Sequence, residues 1–213
     1  MDHTMTDTHV LRFEQAAADG LARTGRVVTA RGSFATPCFM PVGTRASVRT
    51  LSSADLEDLG AEIILGNTYH LMLRPGADLI AEFGGIGGFS DWHGHVLTDS
   101  GGFQIFSLEP RVTDEGARFR STYDGSYHHL SPEGSVEIQQ KLGSDIQMVL
   151  DVCPPLPSPL SVVRAAVERS ALWAARARAA DAPARAAGST QAQFGIVQGG
   201  VDLALRAESA ART

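Results

Sequence analysis

Five short apolar runs recur along this chain, each followed by a stretch with helix signals, and that alternation restricts the fold more than any other feature. The runs lie at residues 38–42, 61–65, 95–98, 146–150 and 194–197. They are strand-sized, and their near-continuous apolar character is what a strand buried on both faces requires. Ser52 stands as an N-cap before Asp55 and Glu57, and Gly60 closes that helical segment. Ser131, Pro132 and Glu133 open another helix that runs to Leu142 and Gly143. Further helices are expected around residues 77–83, over 161–180 and from near Asp202 onward, with a flexible glycine-rich connector at 84–88, a polar insertion at 111–130 and a loop at 181–190. Parallel strands need a crossover between them, so βα repeated five times means an α/β fold with a parallel sheet covered by helices.

Two architectures share that pattern. A doubly wound sheet favours a glycine-rich fingerprint in its first strand-to-helix turn, whereas a (β/α)8 TIM barrel sets polar functional residues after several different strands. The second arrangement is present: Asn67 follows the second run, Asp99 the third, Asp151 the fourth and Gln198 the fifth. All four side chains would meet on one rim of a barrel. A complete barrel takes eight strands and about 250 residues, so the 213 residues here are expected to hold an incomplete barrel of five units. Residues 37–213 form that portion of a single catalytic domain. Residues 1–36, with β-like runs at 11–14 and 25–29, form an N-terminal β extension. A five-strand slice has an unpaired edge at its last strand, which predicts self-association when it stands alone.

Composition narrows the class of function. At 43% hydrophobic residues the chain is built to bury a core, yet no apolar run approaches the roughly 20 residues that cross a bilayer. Residues 1–8 are polar and include two aspartates, unlike a secretion signal, and a cytoplasmic protein is expected. The net charge of −6 leaves no overall electrostatic footprint for nucleic acid. The arginines within residues 164–185 read as the solvated face of a helix that packs through Val162, Val163, Val167 and Trp173. Cys38 and Cys153 lie far apart and join no CxxC or Cys/His cluster, so they suggest neither a disulfide framework nor a zinc site. His93 and His95 form an HxH pair, but they precede the strand residues Val96 and Leu97 and so belong to the rim opposite the expected chemistry.

The chemistry-bearing residues stand where the runs end. In Leu97-Thr98-Asp99-Ser100-Gly101-Gly102-Phe103-Gln104, a carboxylate follows an apolar strand and two glycines bring the backbone close to whatever binds there. An acid so placed exchanges protons with a ligand or stabilises a developing cation, unless it merely caps the next helix. Asp151, within Leu150-Asp151-Val152-Cys153-Pro154, offers two acceptor oxygens side by side, a match to the N1–H and N2–H edge of guanine. Gln198, within Val197-Gln198-Gly199-Gly200, carries an amide able to donate to O6 of the same purine.

Three blocks carry a resemblance. Gly66-Asn67-Thr68-Tyr69-His70-Leu71 with Arg74-Pro75-Gly76, the block from Thr98 to Gln104, and Gly195-Ile196-Val197-Gln198-Gly199-Gly200 resemble, in this order, the signature blocks of bacterial tRNA-guanine transglycosylases. The match runs from about Arg12 to the last residue. It implies an enzyme that exchanges guanine at the anticodon wobble position of tRNA for 7-aminomethyl-7-deazaguanine (preQ1) in queuosine biosynthesis. It implies Asp99 as the general acid/base near the scissile glycosidic bond. Ser100, Gly101, Gly102 and Phe103 would shape the pocket, with Phe103 stacking on the base where the family usually has tyrosine. Asp151 and Gln198 would read the guanine-like edge, and Cys153 occupies a position that is cysteine in bacterial members, which points to preQ1 rather than queuine.

By the same resemblance the reaction passes through an oxocarbenium-like state and a covalent carboxylate ester. The nucleophilic aspartate comes from a later strand, and the family's zinc, held by cysteines and a histidine, is later still. These 213 residues therefore receive the base pocket and one acid, and no zinc ligands. tRNA and the purine base are the implied partners, with a homodimer for the full-length enzyme. Two other readings stay open at this point: a non-catalytic guanine-binding module, and an unrelated TIM-barrel hydrolase that pairs Asp99 with Asp151.

Overall fold

The computed structural model describes residues 10–213, so the polar segment 1–8 and the opening of the expected extension 1–36 lie outside the described residues. An antiparallel meander comes first, β1 (Arg12–Asp19), β2 (Ala22–Thr29) and β3 (Gly32–Thr36). Then follow β4 (Val42–Gly43), α1 (Ser53–Asp58), β5 (Ile63–Gly66), α2 (Thr68–Leu73), α3 (Ala77–Glu82), α4 (Gly85–Ser90), β6 (His95–Thr98) and α5 (Gly102–Phe106). A second antiparallel sheet of β7 (Arg111–Val112), β8 (Ala117–Arg120) and β9 (Tyr127–Leu130) precedes α6 (Pro132–Leu142), β10 (Ile146–Met148), α7 (Leu160–Ala186), β11 (Ala192–Phe194) and α8 (Leu203–Arg212).

Five strands make one parallel sheet in the order β4-β5-β6-β10-β11. Spatial order equals chain order, so the sheet has no reversal and no switch point of the doubly wound kind. Alternation along each strand assigns two faces. Ile64 and Val96 pack with Leu56, Leu71, Ile80 and Leu142 from the helices, whereas Ile63, Ile146 and Ala192 pack with Phe34 of the meander. The register pairs Ile64 with Val96 and Ile63 with His95, which keeps each set on its own side.

Polar contacts fix the meander to the entrances of the strands. Arg31 donates to Asp145 and to the carbonyls of His93 and Gly94, each at 3.1 Å. The N–H of Ala35 donates to Glu62 at 2.8 Å, and the Thr29 hydroxyl meets Nε2 of the buried His95 at 3.1 Å. Glu62, His93, Gly94 and Asp145 all precede β5, β6 or β10, so the meander occupies the rim opposite the strand ends at Asn67, Asp99 and Asp151.

A single buried amide holds α6 to the sheet. Gln139 accepts from the N–H of Met148 and from the Thr98 hydroxyl, and donates to the Met148 carbonyl, all at 2.9 Å. It satisfies the backbone of β10 as a neighbouring strand would, but from a helix. On the outside, Trp173 of α7 donates to the Asp114 carbonyl at 2.8 Å, and Arg176 forks onto Glu133 with both distances 2.7 Å. The fork ties α7 to α6, while Trp173 and further Arg176 contacts to the Asp114 and Glu115 carbonyls pin the β7–β9 sheet, through its β7–β8 turn, against α7.

Several expectations change. Residues 38–41 form no strand: Pro41 has no N–H to donate, and the ladder begins where its carbonyl accepts from Leu65 at 3.0 Å. The expected strand at 194–197 is Ala192–Phe194, because beyond it the N–H of Gln198 turns to the Ser209 hydroxyl at 2.9 Å. The insertion at 111–130 is a sheet whose strand β8 alternates buried Ala117 and Phe119 with exposed Arg118 and Arg120. The supposed connector 84–88 runs into α4, where Gly85 (φ +86°) lets two backbones touch: a Cβ there would stand 2.9 Å from the Leu142 carbonyl oxygen. Helix α7 continues through the expected loop to Ala186, since buried Asp181 accepts from Gln147 at 2.8 Å and Gln140 at 3.1 Å.

Replacing Gln139 with leucine keeps the volume and removes the side-chain partner of the Met148 N–H and carbonyl, while the Thr98 hydroxyl keeps only Ser144. Urea unfolding is expected to show a loss of about 3 kcal/mol for Gln139→Leu, the cost of leaving buried polar groups unpaired; a loss below about 1 kcal/mol would mean that the amide is incidental.

Candidate active site

Asp99 is the first residue beyond β6, and its carboxylate is fully engaged. Oδ1 accepts from the backbone N–H of Thr68 at 2.9 Å and of Gly101 at 3.0 Å. Oδ2 accepts from the side-chain amides of Asn67 and of Gln104, the latter at 3.2 Å, and the Thr68 hydroxyl donates to the Asp99 carbonyl. The capping alternative is thus realised on α2, whose first residue is Thr68, rather than on the helix that follows Asp99. Burial pushes the Asp99 carboxyl above its ordinary range; the four donors pull the other way and do not cancel it.

Asp151 stands three residues past Met148, the last ladder residue of β10, and is buried, 7% exposed. Gln198, in the loop after β11, donates its amide to Oδ2 of Asp151. Burial raises the Asp151 pKa to about 6, against the Gln198 hydrogen bond and with a further push from the charge of Asp99. Gly102 sits against this carboxylate. A Cβ on it would lie 3.1 Å from Asp151 Oδ1 and 3.1 Å from Ser100 Oγ, so any side chain there would press on the acid. Ser100 is held in turn, its carbonyl accepting from Ser135 of α6 at 3.1 Å.

The structure brings together Asp99, Ser100, Gly101, Gly102, Asp151 and Gln198. Phe103 lies in the first turn of α5 with 73% of its surface exposed. Cys153 is exposed two residues beyond Asp151, and partial burial together with the Asp151 charge pushes its thiol up, away from thiolate chemistry at neutral pH. Sequence reasoning placed Asn67 on this rim without its partner and left Thr68 and Gln104 without a role. The block Gly66-Asn67-Thr68 was the available signal. Ser135 and Ser209, which hold Ser100 and Gln198 from α6 and α8, carry no pattern that would have found them.

Among the described residues no group of three or more His, Cys, Asp and Glu side chains is placed to hold a metal ion. Cys38 and Cys153 are both free, and His93 turns to Glu57 at 2.9 Å while His95 faces Thr29. These residues do not build the zinc site that the resemblance attaches to the family. Nor is any helix among the described residues long and apolar enough to cross a membrane.

The chain is similar to known proteins over most of its length. The family model described as Queuine tRNA-ribosyltransferase matches residues 18–213. Curated queuine tRNA-ribosyltransferases are similar over most of the chain. The one from Desulforudis audaxviator is 54% identical over 190 residues, covering 88% of this chain and 50% of the relative. That from Symbiobacterium thermophilum is 51% identical over 203 residues (94% and 49%), and that from Cereibacter sphaeroides 50% identical over 208 residues (96% and 54%). The chain spans about half the length of the curated relatives it matches.

The raised pKa of Asp151 has a thermodynamic signature. An acid that titrates at about 6 when folded and near 3.8 when unfolded favours the fold while protonated, so its contribution is whole below the unfolded value and is lost as pH rises through the folded one. Relative to Asp151→Asn, the wild-type chain is expected to lose about 2 kcal/mol of unfolding free energy between about pH 4.5 and about pH 7.5. Parallel denaturation curves for the two proteins over that interval would rule the shift out.

Proposed function

This chain belongs to the queuine tRNA-ribosyltransferase family, and from that premise we propose that it supplies the base pocket of a tRNA-guanine transglycosylase, a pentosyltransferase that replaces guanine at the wobble position of tRNA with preQ1. The observation that carries the reading is the cluster at three adjacent strand exits. Asp151 and Gln198 are bonded to each other beside Asp99, with Gly102 keeping the space next to them clear. The consecutive strand order also supports a wider reading of residues 37–213 as five units of a (β/α)8 barrel.

A guanine edge fits what the pocket already does. Asp151 accepts one amide N–H now; as a carboxylate it would accept N1–H and N2–H of the base, and the Gln198 amide, released from Asp151, would donate to O6. Phe103 would cover the ring face, and Cys153 would lie near the aminomethyl group that distinguishes preQ1. Asp99 would give a proton to the departing base and take one from the incoming base. Its longest bond, from Gln104 at 3.2 Å, is the one to yield. The nucleophile that the resemblance assigns to a later strand is outside these residues, and no step here runs through a metal. A homodimer and a cytoplasmic location belong to the same proposal.

Calorimetric titration with guanine and preQ1 tests the pocket. Wild type is expected to bind both, Asp151→Ala to lose about a hundredfold in affinity and Gln198→Ala about tenfold, in line with two charge-assisted bonds against one neutral bond. A cooperatively folded wild-type chain that binds neither base would overturn the assignment. Incubation with guanine-labelled tRNA and preQ1 separates the two remaining forms of the idea: steady exchange means a transferase, and binding without exchange means a base-binding module.

A further inference from the structure

The rim that holds Asp99 also carries two cations that converge on one ring. The guanidinium carbons of Arg45 and Arg74 lie 5.3 and 5.2 Å from the centre of the Tyr123 ring. Arg45 comes from the loop after β4, Arg74 ends α2 after β5, and Tyr123 sits in the β8–β9 turn, which the chain inserts after β6. Three consecutive strand exits therefore deliver two positive charges and an aromatic face to one spot. Elsewhere Arg164 is paired with Glu208 and Arg169 with Asp114. Among the described residues no carboxylate pairs with Arg45 or Arg74.

The ring between them is held firmly. The Tyr123 hydroxyl shares a hydrogen bond with Nδ1 of His70 at 2.9 Å, its N–H donates to Ser121 Oγ at 3.1 Å, and the two rings meet edge-on at 86°. His70 offers no counter-charge. Burial, then the Arg45 charge, push its pKa down, against a weaker pull from Asp99, and keep it neutral. It lies two residues beyond Thr68, whose N–H binds Asp99, a displacement of about 3 Å along the axis of α2. Two like charges held against one neutral ring, so close to the reacting acid, call for an anion.

We propose that Arg45, Tyr123 and Arg74 form a phosphodiester clamp for the RNA strand beside the nucleotide whose base is exchanged, an inference that rests on the transglycosylase reading above. Guanidinium groups meet the non-bridging oxygens of phosphate in a forked, charge-assisted geometry, and an aromatic face takes an unstacked neighbouring base. Such contacts position a strand without reading its sequence. They also account for RNA binding by a chain whose net charge is −6, since the positive charge is gathered where the strand must pass.

The clamp is tested by fluorescence anisotropy of a labelled anticodon stem-loop RNA titrated with the 213-residue chain at several salt concentrations. Arg45→Ala and Arg74→Ala should each weaken RNA binding about tenfold and lower the salt slope by about 0.7–0.9. Arg178→Ala, which removes an exposed arginine on α7, should change neither. Guanine binding by calorimetry should stay at the wild-type value in all of these variants, and Arg45→Lys should restore the slope but not the full affinity. RNA affinity within about twofold of wild type in an Arg45→Ala/Arg74→Ala protein that still binds guanine would overturn the proposal. So would binding of inorganic phosphate that depends on both arginines while RNA binding does not, since the ligand would then be the free anion. A wild-type chain that binds RNA through both arginines but binds no guanine would support the clamp and remove the pocket assignment instead.

Discussion

A carboxylate at the end of a buried strand must find donors or give up its charge, and the donors Asp99 finds dictate the path of the chain around it. Two of the four are backbone N–H groups, at Thr68 and Gly101, and two are amides, on Asn67 and Gln104. The start of α2, the exit of β6 and the first turn of α5 are thereby tied to one pair of oxygens. For the acid/base role proposed above, this hub would have to loosen one bond without losing the others, and three contacts would remain if Gln104 moved. The oxygen of the Gln104 amide is itself buried without a partner, so its present orientation is not strongly held.

The second carboxylate is arranged on the opposite principle. Asp151 is buried, with a neighbour of its own sign in Asp99, and the Gln198 hydrogen bond does not make up for that burial, so it ionises reluctantly. In the proposed pocket a ligand with two adjacent N–H groups would relieve that strain, and a wrong base would leave buried groups unpaired, which excludes more strongly than a misfit of shape alone. Gly102 completes the arrangement by having nothing to offer: the room a side chain would take is the room the carboxylate needs.

The parallel sheet was legible in the residues because each of its strands is a compact apolar run, and all five runs hold or adjoin a strand of that sheet. Asp99, Asp151 and Gln198 were legible for a related reason, as polar residues that break such runs. What escaped has no local signature. The β7–β9 sheet is built from strands of two to four residues with charged side chains facing out, and reads as loop until its pairing is known. Glycines at 84–88 look like slack, whereas Gly85 marks a contact between two backbones that only geometry reveals. Net charge is an average, and it hid the meeting of Arg45 with Arg74 because the two arise from loops nearly thirty residues apart. Ser209 reaches Gln198 from α8, eleven residues on, a partnership that no motif announces.

The bond from Trp173 to the Asp114 carbonyl spans 59 residues, and the Arg176 contacts to the same turn span slightly more. On a ribosome this sets a schedule. The β7–β9 sheet emerges long before the helix that braces it, and at about 5–20 residues per second the brace arrives roughly 3–12 s later. Until then Tyr123 and its neighbours have a hairpin but no buttress, and the wall of the site toward α7 is unfinished. The rim is therefore braced only after Asp99 and Asp151 have been made, and until α7 arrives a nascent chain holds both carboxylates without the helix that supports the β7–β9 sheet.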